Sequence, residues 1–311
     1  MATTLVTGAA GFAGSHLLDL LTAGPAGEIV AWRRTSKDAP SHAGAVRWDT
    51  VDLLDRDGVR AAIARIRPAA VYHCAGAAHV GRAWDSTEAT FATNVRGTHH
   101  LLDALRRAEV TARVLIPSSA LVYKPADRPL VEDDPLVPAG PYGVSKLAQE
   151  MLASHAGPRV SVMVARSFNH FGPRQDPFFA ASGWARRIAD IERGRWKPAT
   201  IAVGNLDARR DLTDVRDTVR AYTLMVDGGR HGDVLNVCSG VAIEIRALLE
   251  RLIARARVPI GVSVDTARYR PNDTPLIVGD PTRIRERLGW SPRIPLDQAL
   301  DDLLEYWRSQ P

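Results

Sequence analysis

Short apolar runs alternate with segments of helical periodicity along the first half of the chain. Six of the runs have the length of a β-strand: "TTLVTG", "EIVAW", "AVRWD", "AAVYHCAG", "ARVLIPSS" and "RVSVMVARS". Strands that alternate with amphipathic helices are typical of a parallel sheet with right-handed crossovers. We therefore expect an α/β fold with a doubly wound parallel sheet of the Rossmann type.

The alternation ends after about residue 166, which indicates a second unit. The pattern then predicts loops, a helix around 177–193, a short strand near 199–203, a helix at 214–226, a further sheet strand at "DVLNVCS", and two or three helices in 240–311 with a Pro-rich segment at 271–281. We expect a dinucleotide-binding domain of residues 1–166 plus about 212–239. A smaller, interleaved substrate-binding domain would comprise about 167–211 and 240–311.

Composition and charge narrow the functional class. The chain has 311 residues, 45% of them hydrophobic, and a formal charge of +5. Lysine occurs only at positions 37, 124, 146 and 197, so the positive charge is mostly scattered arginine. No dense basic run with interleaved aromatic residues occurs, which argues against a nucleic-acid partner and is compatible with an anionic small molecule.

The two cysteines and the N-terminus bear on the compartment. Cys74 and Cys238 lie in apolar, strand-like runs, so we expect reduced core thiols rather than a disulfide. Met1 leads directly into the first strand without a signal-peptide pattern, and no apolar run approaches ~18 residues. We expect a cytoplasmic protein with no membrane partner.

A glycine-rich loop follows the first strand. "VTGAAGFAGSHLLDLL" places Gly8, Gly11 and Gly14 between a strand and an amphipathic helix, where backbone amides can approach a pyrophosphate. The alternative is a purely structural turn, but the position after the first strand favours a dinucleotide site. We include Phe12 and Ala13 of this loop in the predicted cofactor site.

The ends of the second and third strands indicate which dinucleotide binds. Arg33 and Arg34 occupy the place where an NAD site usually offers a carboxylate to the ribose, and two guanidinium groups suit a 2′-phosphate. NADP(H) is therefore preferred and NAD(H) is the alternative, since both arginines could simply be solvated. Asp52 and Leu53 follow the third strand, where Asp52 either accepts a hydrogen bond from adenine or caps a helix.

A Ser/Tyr/Lys set supplies candidate catalytic groups. "PYGVSK" puts Tyr142 and Lys146 four residues apart on one face of a helix. A nearby ammonium lowers the pKa of a tyrosine, so we expect Tyr142 to exchange protons near neutral pH. Ser119, at the end of the fifth strand, is expected to hold the substrate oxygen beside Tyr142, and Ser118 to bond to the backbone.

Together these motifs resemble the extended short-chain dehydrogenases/reductases that act on nucleotide sugars. The resemblance covers essentially all 311 residues and rests on the segments "TGAAGFAG", "CAGAAHVG", "TNVRGTHHLLDAL", "SSALVY", "PYGVSK", "RSFNHFGPRQ", "GNLDARRDLTDVRD", "LNVCSG", "RPND" and "LGW". These sequence segments are particularly similar to those of the branch that contains GDP-mannose 4,6-dehydratases and GDP-6-deoxy-4-keto-mannose reductases. Lys124 departs from the Gly that usually follows "VY", which affects the path of the next loop.

The resemblance implies further site residues. The nicotinamide half of the cofactor would meet Ala75, Ala77, Asn94, Lys146 and His170, and the GDP-sugar would meet His79, Ser119, Asn169, Asn205, Asp207, Arg210 and Arg270. A packed or capping histidine remains the alternative for His170, and solvated surface positions remain the alternative for the arginines. The resemblance implies a homodimer that pairs through a four-helix bundle, and no metal.

The reaction class depends on "SSALVY". A sugar 4,6-dehydratase removes a proton from C5, and GDP-mannose dehydratases resemble Thr-x-Glu at this place, whereas this chain has Ala120 and Leu121. Hydride transfer needs only the cofactor, Ser119, Tyr142 and Lys146. We therefore expect an NADPH-dependent reductase acting on the C4 ketone of GDP-4-keto-6-deoxy-mannose. The alternatives are a nucleotide-sugar 4-epimerase, a GDP-mannose 4,6-dehydratase and a non-catalytic dinucleotide sensor.

Overall fold

A seven-stranded parallel sheet forms the centre of the computed structural model, which describes residues 2–24, 27–34, 45–266 and 274–311. The strands are β1 Thr4–Thr7, β2 Ile29–Arg33, β3 Arg47–Thr50, β4 Ala70–His73, β5 Ala112–Ser119, β6 Val160–Ser167, β7 Asn169–Phe171, β8 Thr200–Val203, β9 Arg209–Asp214, β10 Val234–Val237, β11 Ala242–Glu244, β12 Gly261–Val264 and β13 Leu276–Ile277. The order β3-β2-β1-β4-β5-β6-β10, with every pair parallel, confirms the predicted doubly wound sheet.

Helices cover both faces of this sheet and build the second half. They are α1 Phe12–Ala23, α2 Arg56–Ile66, α3 Arg82–Asp85, α4 Thr87–Phe91, α5 Gly97–Arg107, α6 Pro141–Ala153, α7 Ala180–Glu192, α8 Val215–Gly228, α9 Ile245–Ile253, α10 Thr282–Leu288 and α11 Leu296–Ser309. A π-helical turn, Ala92–Arg96, joins α4 to α5, and a 3-10 turn, Ala120–Val122, follows β5. Within the described ranges, no helix is long and apolar enough to cross a bilayer.

Residues of opposite parity along the strands fill two cores. Leu5 and Ile116 face a core with α2 and α5, whereas their neighbours Val6 and Leu115 face a core with α1 and α8. This period of two is what a sheet covered by helices on both faces requires. The strand order reverses between β1 and β4, so a crevice opens at the carboxyl ends of these strands.

Smaller sheets organise the second half. β9 pairs with β7, β11 and β13, and β8 pairs with β12. The predictions of β8, β10, α7 and α8 are confirmed, whereas β7 and β9 lie where we expected loops. The side chains of α7, α9 and α11 enclose a separate apolar core beneath β8. Both cysteines are free thiols; Cys238 is buried, and Cys74 is half-buried at the end of β4.

Candidate active site

The glycine loop joins β1 to α1 at the crevice, and its shape admits only small residues. Gly8 has a left-handed φ of 64°, and a Cβ added there would lie 2.5 Å from the backbone N of Ala75. A Cβ on Gly14 would lie 2.3 Å from the carbonyl oxygen of Gly8. The turn therefore brings the N-terminus of α1, a helix of twelve residues, close to the ends of β1 and β4. Such a cradle of amides fits a dinucleotide pyrophosphate.

A cleft of about 760 Å³ opens beside this loop, and we call it the glycine-loop cleft. It brings together seven of the predicted cofactor residues: Gly8, Gly11, Arg33, Arg34, Asp52, Leu53 and Ala75. It is also lined by residues that the sequence did not single out: Thr7, Ala10, Trp32, Val51, Leu54, Cys74, Gly76 and Thr93. For all of these except Thr93, which stands in the π-helical turn, a position at or just after the carboxyl end of β1, β2, β3 or β4 is the signal that would have identified them.

Asp52 lies on the wall of the glycine-loop cleft. Its carboxylate accepts a hydrogen bond from the backbone N of Leu54 at 2.9 Å. The N-cap of α2 is Asp55, whose carboxylate accepts from the backbone N of Gly58 at 3.0 Å. The alternative in which Asp52 caps this helix is therefore wrong, and Asp52 lines the same cleft as Arg33 and Arg34.

Asn94 connects the loop after β4 to α6. Its side chain is fully buried, and its Oδ1 accepts a hydrogen bond from the backbone N of Ala77 at 2.7 Å. Its Nδ2 donates to Ser145 Oγ at 2.9 Å, and Ser145 Oγ in turn donates to the backbone oxygen of Tyr142 at 2.7 Å. Asn94 thus fixes the loop that carries Ala75 and Ala77 relative to Tyr142.

His170 lies over the glycine loop. Its ring stacks on Phe12 with centroids 5.8 Å apart and planes 6° apart. Burial lowers the pKa of His170, so the ring is neutral, and its Nδ1 donates to the backbone oxygen of Phe168 at 3.2 Å. It stands at the middle of β7 and caps no helix. Phe12 and His170, both predicted cofactor residues, therefore share one aromatic contact next to the pyrophosphate cradle.

Ser119, Tyr142 and Lys146 converge between β5 and α6. The hydroxyl of Ser119 is near enough to Tyr142 to act on its pKa, and Ser119 Oγ accepts a hydrogen bond from the backbone N of Leu121 at 3.2 Å. Lys146 Nζ lies 6.0 Å from the centroid of the Tyr142 ring. The ammonium donates to the backbone oxygen of Pro117 at 2.7 Å and to Gln149 Oε1 at 2.8 Å. The predicted Ser/Tyr/Lys set is thus assembled in one place.

The pKa values in this set differ from expectation. Burial raises the pKa of Tyr142 to about 12, although the neighbouring Ser119 hydroxyl opposes the rise. The expected lowering of the Tyr142 pKa is therefore wrong in this structure, because the cost of burying a phenolate outweighs the nearby ammonium. Burial lowers the pKa of Lys146 to about 8. At neutral pH Tyr142 carries its proton and can donate it, and most Lys146 side chains are charged.

Ser118 differs from the sequence-based expectation. Its hydroxyl donates to the carboxylate of Glu150 rather than to the backbone. The same carboxylate accepts from Nη2 of Arg166 at 2.8 Å, and both members of this ion pair are less than a tenth exposed. Arg166 Nη1 donates to Tyr123 Oη at 3.0 Å. A buried network thus ties the end of β5, next to Ser119, to α6 and β6.

A second cleft, of about 640 Å³, lies in front of Tyr142, and we call it the Tyr142 cleft. Its lining is mostly apolar: Val80, Trp84, Ala120, Leu121, Tyr123, Pro125, Leu130, Ala139, Gly140, Pro141, Tyr142, Gly143, Thr274, Leu276 and Ile277. Within this lining the titratable side chains are those of Tyr123 and Tyr142. Burial raises the pKa of Tyr123 as well. Sequence reasoning missed Trp84, an exposed side chain of α3, because a helix of four residues is too short to show a periodic pattern.

Within the part of the chain described, the remaining predicted substrate residues do not line this cleft. His79 packs on Phe179 with ring centroids 4.8 Å apart, and its Nε2 lies 3.8 Å from Asp176 Oδ2. Arg210 is buried and donates to the backbone oxygen of Arg209 at 2.9 Å. Asn169 is exposed at the start of β7. Arg270 lies outside the described residues.

Asn205 and Asp207, predicted near the nucleotide base, lie together in the loop between β8 and β9. Asn205 Oδ1 accepts from the backbone N of Asp207 at 3.0 Å, and Asp207 pairs with Arg246 at 2.8 Å. Neither residue lines the two clefts described above. Among the residues with described coordinates, no group of three or more His, Cys, Asp or Glu side chains is arranged to hold a metal ion.

The sequence of this chain is similar to those of known nucleotide-sugar enzymes. A sequence model of the GDP-mannose 4,6-dehydratase family matches residues 5–303. The chain is 34% identical to a GDP-6-deoxy-D-mannose reductase of Pseudomonas aeruginosa over 98% of this chain and 97% of that protein. It is 30% identical to a UDP-glucose 4-epimerase of Mycolicibacterium smegmatis over 99% of both chains.

Solved structures agree with the sequence comparison. The structure of RMD from Pseudomonas aeruginosa complexed with NADPH superposes with a TM-score of 0.85 and 32% identity, covering 99% of both chains. The similarity therefore includes the second half of the chain as well as the parallel sheet.

Proposed function

The chain belongs to the GDP-mannose 4,6-dehydratase family of extended short-chain dehydrogenases/reductases, and we propose that it is an NADPH-dependent nucleotide-sugar reductase. Its proposed substrate is GDP-4-keto-6-deoxy-mannose, whose C4 ketone is reduced to a hydroxyl. The product is a GDP-6-deoxyhexose of the GDP-rhamnose type.

The lining of the Tyr142 cleft is the observation that carries this proposal. Ala120 and Leu121 occupy the places that would carry the acid and base of an elimination, and the titratable side chains among the described lining residues, Tyr123 and Tyr142, have raised pKa values. The described lining therefore offers a proton donor and no base at neutral pH. Ketone reduction requires a donor, whereas loss of water across C5 and C6 also requires a base.

The side chains around Tyr142 have distinct proposed roles. When bound, NADPH supplies the hydride that C4 accepts. Tyr142 gives its phenolic proton to the C4 oxygen, and Ser119 holds that oxygen through its hydroxyl. The ammonium of Lys146, 6.0 Å from the tyrosine ring, stabilises the phenolate that remains. Leu121 and Val80 offer apolar surface to the C6 methyl group of a 6-deoxy sugar.

Cofactor preference follows from the glycine-loop cleft. Arg33 and Arg34 both line it, at the end of β2 where a ribose 2′-phosphate would lie. The similar Pseudomonas aeruginosa structure contains NADPH, which supports the same cofactor here. NAD(H) remains the alternative. We assign Phe12, Ala13, Gly14, Ala77, Asn94 and His170 to the same cofactor, because they surround the cradle or anchor Tyr142.

The GDP part of the substrate is assigned to the second half of the chain. Asn169 and Arg210 would meet the sugar and diphosphate, together with Arg270, and Asn205 would lie near the base. The proposed division into two domains is compatible with the fold. The seven strands of the central sheet lie in 1–166 and 212–239, except that β6 extends one residue further, to Ser167. The proposed substrate-binding domain is the remainder.

We also propose a homodimer that pairs through α5 and α6. Val144 and Met151 lie seven residues apart on the exposed face of α6, and both are exposed apolar side chains. Such a stripe is suited to packing against a second copy. Light scattering after chromatography should give twice the 33.8 kDa mass of one chain, and Val144→Arg with Met151→Lys should halve it.

The decisive experiment incubates the protein with GDP-4-keto-6-deoxy-mannose and NADPH. We expect one NADPH oxidised for each ketone reduced, and a product heavier by two hydrogens in mass spectrometry. A 4-epimerase would instead copurify with its cofactor and convert nucleotide sugars without net NADPH loss. That result, or no consumption of NADPH with the keto sugar, would overturn the proposal.

A further inference from the structure

Gln149 lies one helical turn after Lys146 on α6 and is almost completely buried. Its Oε1 accepts a hydrogen bond from Lys146 Nζ at 2.8 Å. The second acceptor of the ammonium is the backbone oxygen of Pro117 at 2.7 Å. A buried ammonium needs such acceptors because it has lost water. Gln149 is therefore the side chain that supplies a neutral acceptor to Lys146.

The orientation of the Gln149 amide follows from its other neighbour. Gln149 Nε2 lies 2.6 Å from Thr98 Oγ1, and Thr98 Oγ1 lies 2.5 Å from the backbone oxygen of Asn94. A carbonyl oxygen only accepts, so the single hydroxyl proton of Thr98 is used on Asn94. Thr98 Oγ1 must then accept from Gln149, which turns the amide oxygen toward Lys146.

His73 extends this chain to the first strand. Its Nε2 lies 2.9 Å from Thr98 Oγ1, and its Nδ1 lies 2.8 Å from Thr7 Oγ1. Because the proton of Thr98 is already used, His73 carries its proton on Nε2 and accepts from Thr7 on Nδ1. Burial lowers the pKa of His73 to about 3, so the ring has only that one proton. Each hydrogen bond along the chain from Thr7 to Lys146 therefore has a defined donor and a defined acceptor.

We propose that Gln149 is a positioning residue that orients the ammonium of Lys146 and keeps it charged beside Tyr142, with its own amide held by Thr98 and His73. The inference rests on the proposed roles of Tyr142 and Lys146. On this proposal the buried hydrogen-bond chain has a role beyond packing. It runs through Gln149, Thr98, His73 and Thr7, and it connects the helix that carries Tyr142 to the strand that precedes the glycine loop.

Other titratable groups also face Lys146, so the test must distinguish the effect of Gln149 on the Lys146 pKa from the effects of these groups. Cys74, at the end of β4, and Glu150, on α6, both act to raise the pKa of Lys146. His73 is neutral and Tyr142 is protonated at pH 7, so neither contributes charge there. A change confined to Gln149 leaves all four in place.

The test titrates Lys146 directly by NMR in the full chain. Lysine labelled with ¹³C at Cε gives only four side-chain signals, because the sequence has four lysines, and Lys146→Met identifies the relevant one. Gln149→Met removes the acceptor and should lower the pKa of Lys146 by about one unit, whereas Gln149→Glu adds a carboxylate and should raise it by about one unit or more. Gln298→Met and Gln298→Glu make the same changes at an exposed glutamine of α11 and should shift nothing.

Opposite shifts in the two Gln149 variants support the inference, and unchanged or parallel shifts overturn it. A role in packing alone would lower stability without moving the Lys146 pKa in opposite directions. If Gln149→Met fails to fold, Thr98→Val is the second test, because it frees the amide to turn away and should also lower the pKa. The titration needs no substrate, so it decides this inference even if the proposed reduction fails, and NADPH consumption decides the function separately.

Discussion

Ser119, the last residue of β5, lies close enough to Tyr142, in the first turn of α6, for its hydroxyl to oppose the rise in the pKa of the phenol. Two hydroxyls from different elements therefore lie near each other at Tyr142, which lines the Tyr142 cleft. A carbonyl oxygen entering there would accept from both. The raised pKa of Tyr142 makes it the better proton source of the pair in a reduction, since it stays protonated until it is used.

Tyr142→Phe should lower kcat by a factor on the order of 10² or more, because the variant lacks the proton donor. NADPH affinity should change little, since the ring and its packing are kept. Stopped-flow NADPH oxidation gives kcat and fluorescence titration gives the affinity. Tyr306→Phe, on α11, is the matched control and should retain parental activity. A Tyr142→Phe variant that kept most of its turnover would assign the proton donation to another group.

The pKa of Lys146, lowered by burial to about 8, predicts the pH dependence of turnover. Below pH 8 the ammonium is charged and stabilises the phenolate of Tyr142, and above pH 8 that charge is lost. We therefore expect kcat to fall as pH rises through about 8, with no second alkaline step until Tyr142 titrates near 12. The Lys146→Met variant should have a low kcat, and its kcat should no longer fall as pH rises through about 8. A kcat that stays constant from pH 7 to 10 would contradict the assignment.

Arg33 and Arg34 should make NADPH bind more tightly than NADH. Arg33→Asp combined with Arg34→Ala should narrow or reverse the difference, because a carboxylate repels a 2′-phosphate and accepts from ribose hydroxyls. Calorimetric titration of both cofactors measures this. Arg65→Ala, an exposed arginine of α2 paired with Asp49, controls for the loss of positive charge. Equal affinities in the parent protein would exclude a 2′-phosphate site.

The buried ion pair between Glu150 and Arg166 should matter for stability more than for chemistry. Glu150→Gln leaves the guanidinium buried without its counter-charge, which typically costs about 3–5 kcal/mol. The loss should appear in urea unfolding. Replacing both partners, as Glu150→Leu with Arg166→Leu, should recover most of the stability, because apolar pairs of similar volume replace buried ion pairs well. A double variant as unstable as Glu150→Gln would show that the charges themselves are required.

The sequence predicted the parallel sheet because β1, β5 and β6 are nearly continuous apolar runs, as strands buried on both faces must be. It did not predict β9, whose residues "RRDLTD" look like an exposed loop. Most polar side chains of β9 are buried, and partners satisfy them: Asp211 accepts from Ser239 Oγ at 2.6 Å and from the backbone N of Gly240 at 2.9 Å. Such partners are distant in sequence, so no local pattern shows them.

In the candidate site, too, some features could be predicted from the sequence and others could not. Gly8, Tyr142 and Lys146 stand in short motifs with a fixed spacing, so the sequence alone located them. The pKa of Tyr142 depends on how deeply α6 is buried against β5, and Gln149 gains its role only from the position of Thr98 on another helix. These properties arise from packing between elements, which periodicity does not encode.

Leu121, in the lining of the Tyr142 cleft, bears on which reaction the protein catalyses. Given GDP-mannose and either oxidised cofactor, the protein should not release the 4-keto-6-deoxy sugar at a measurable steady rate, because Leu121 cannot take the C5 proton. The two tyrosines of the cleft lining hold their protons at neutral pH. Given the preformed keto sugar, the same preparation should consume NADPH in proportion to substrate. Mass spectrometry of the nucleotide sugar distinguishes the two reactions.

Among the described residues, His79 is the candidate for replacing the missing base, and its contacts argue against it. Its ring packs on Phe179, its Nε2 lies 3.8 Å from Asp176, and it does not line the Tyr142 cleft. His79→Ala should therefore leave the product pattern unchanged. Steady formation of keto sugar from GDP-mannose by the parent protein would make the dehydratase assignment correct instead, and its loss in His79→Ala would identify the histidine as the base.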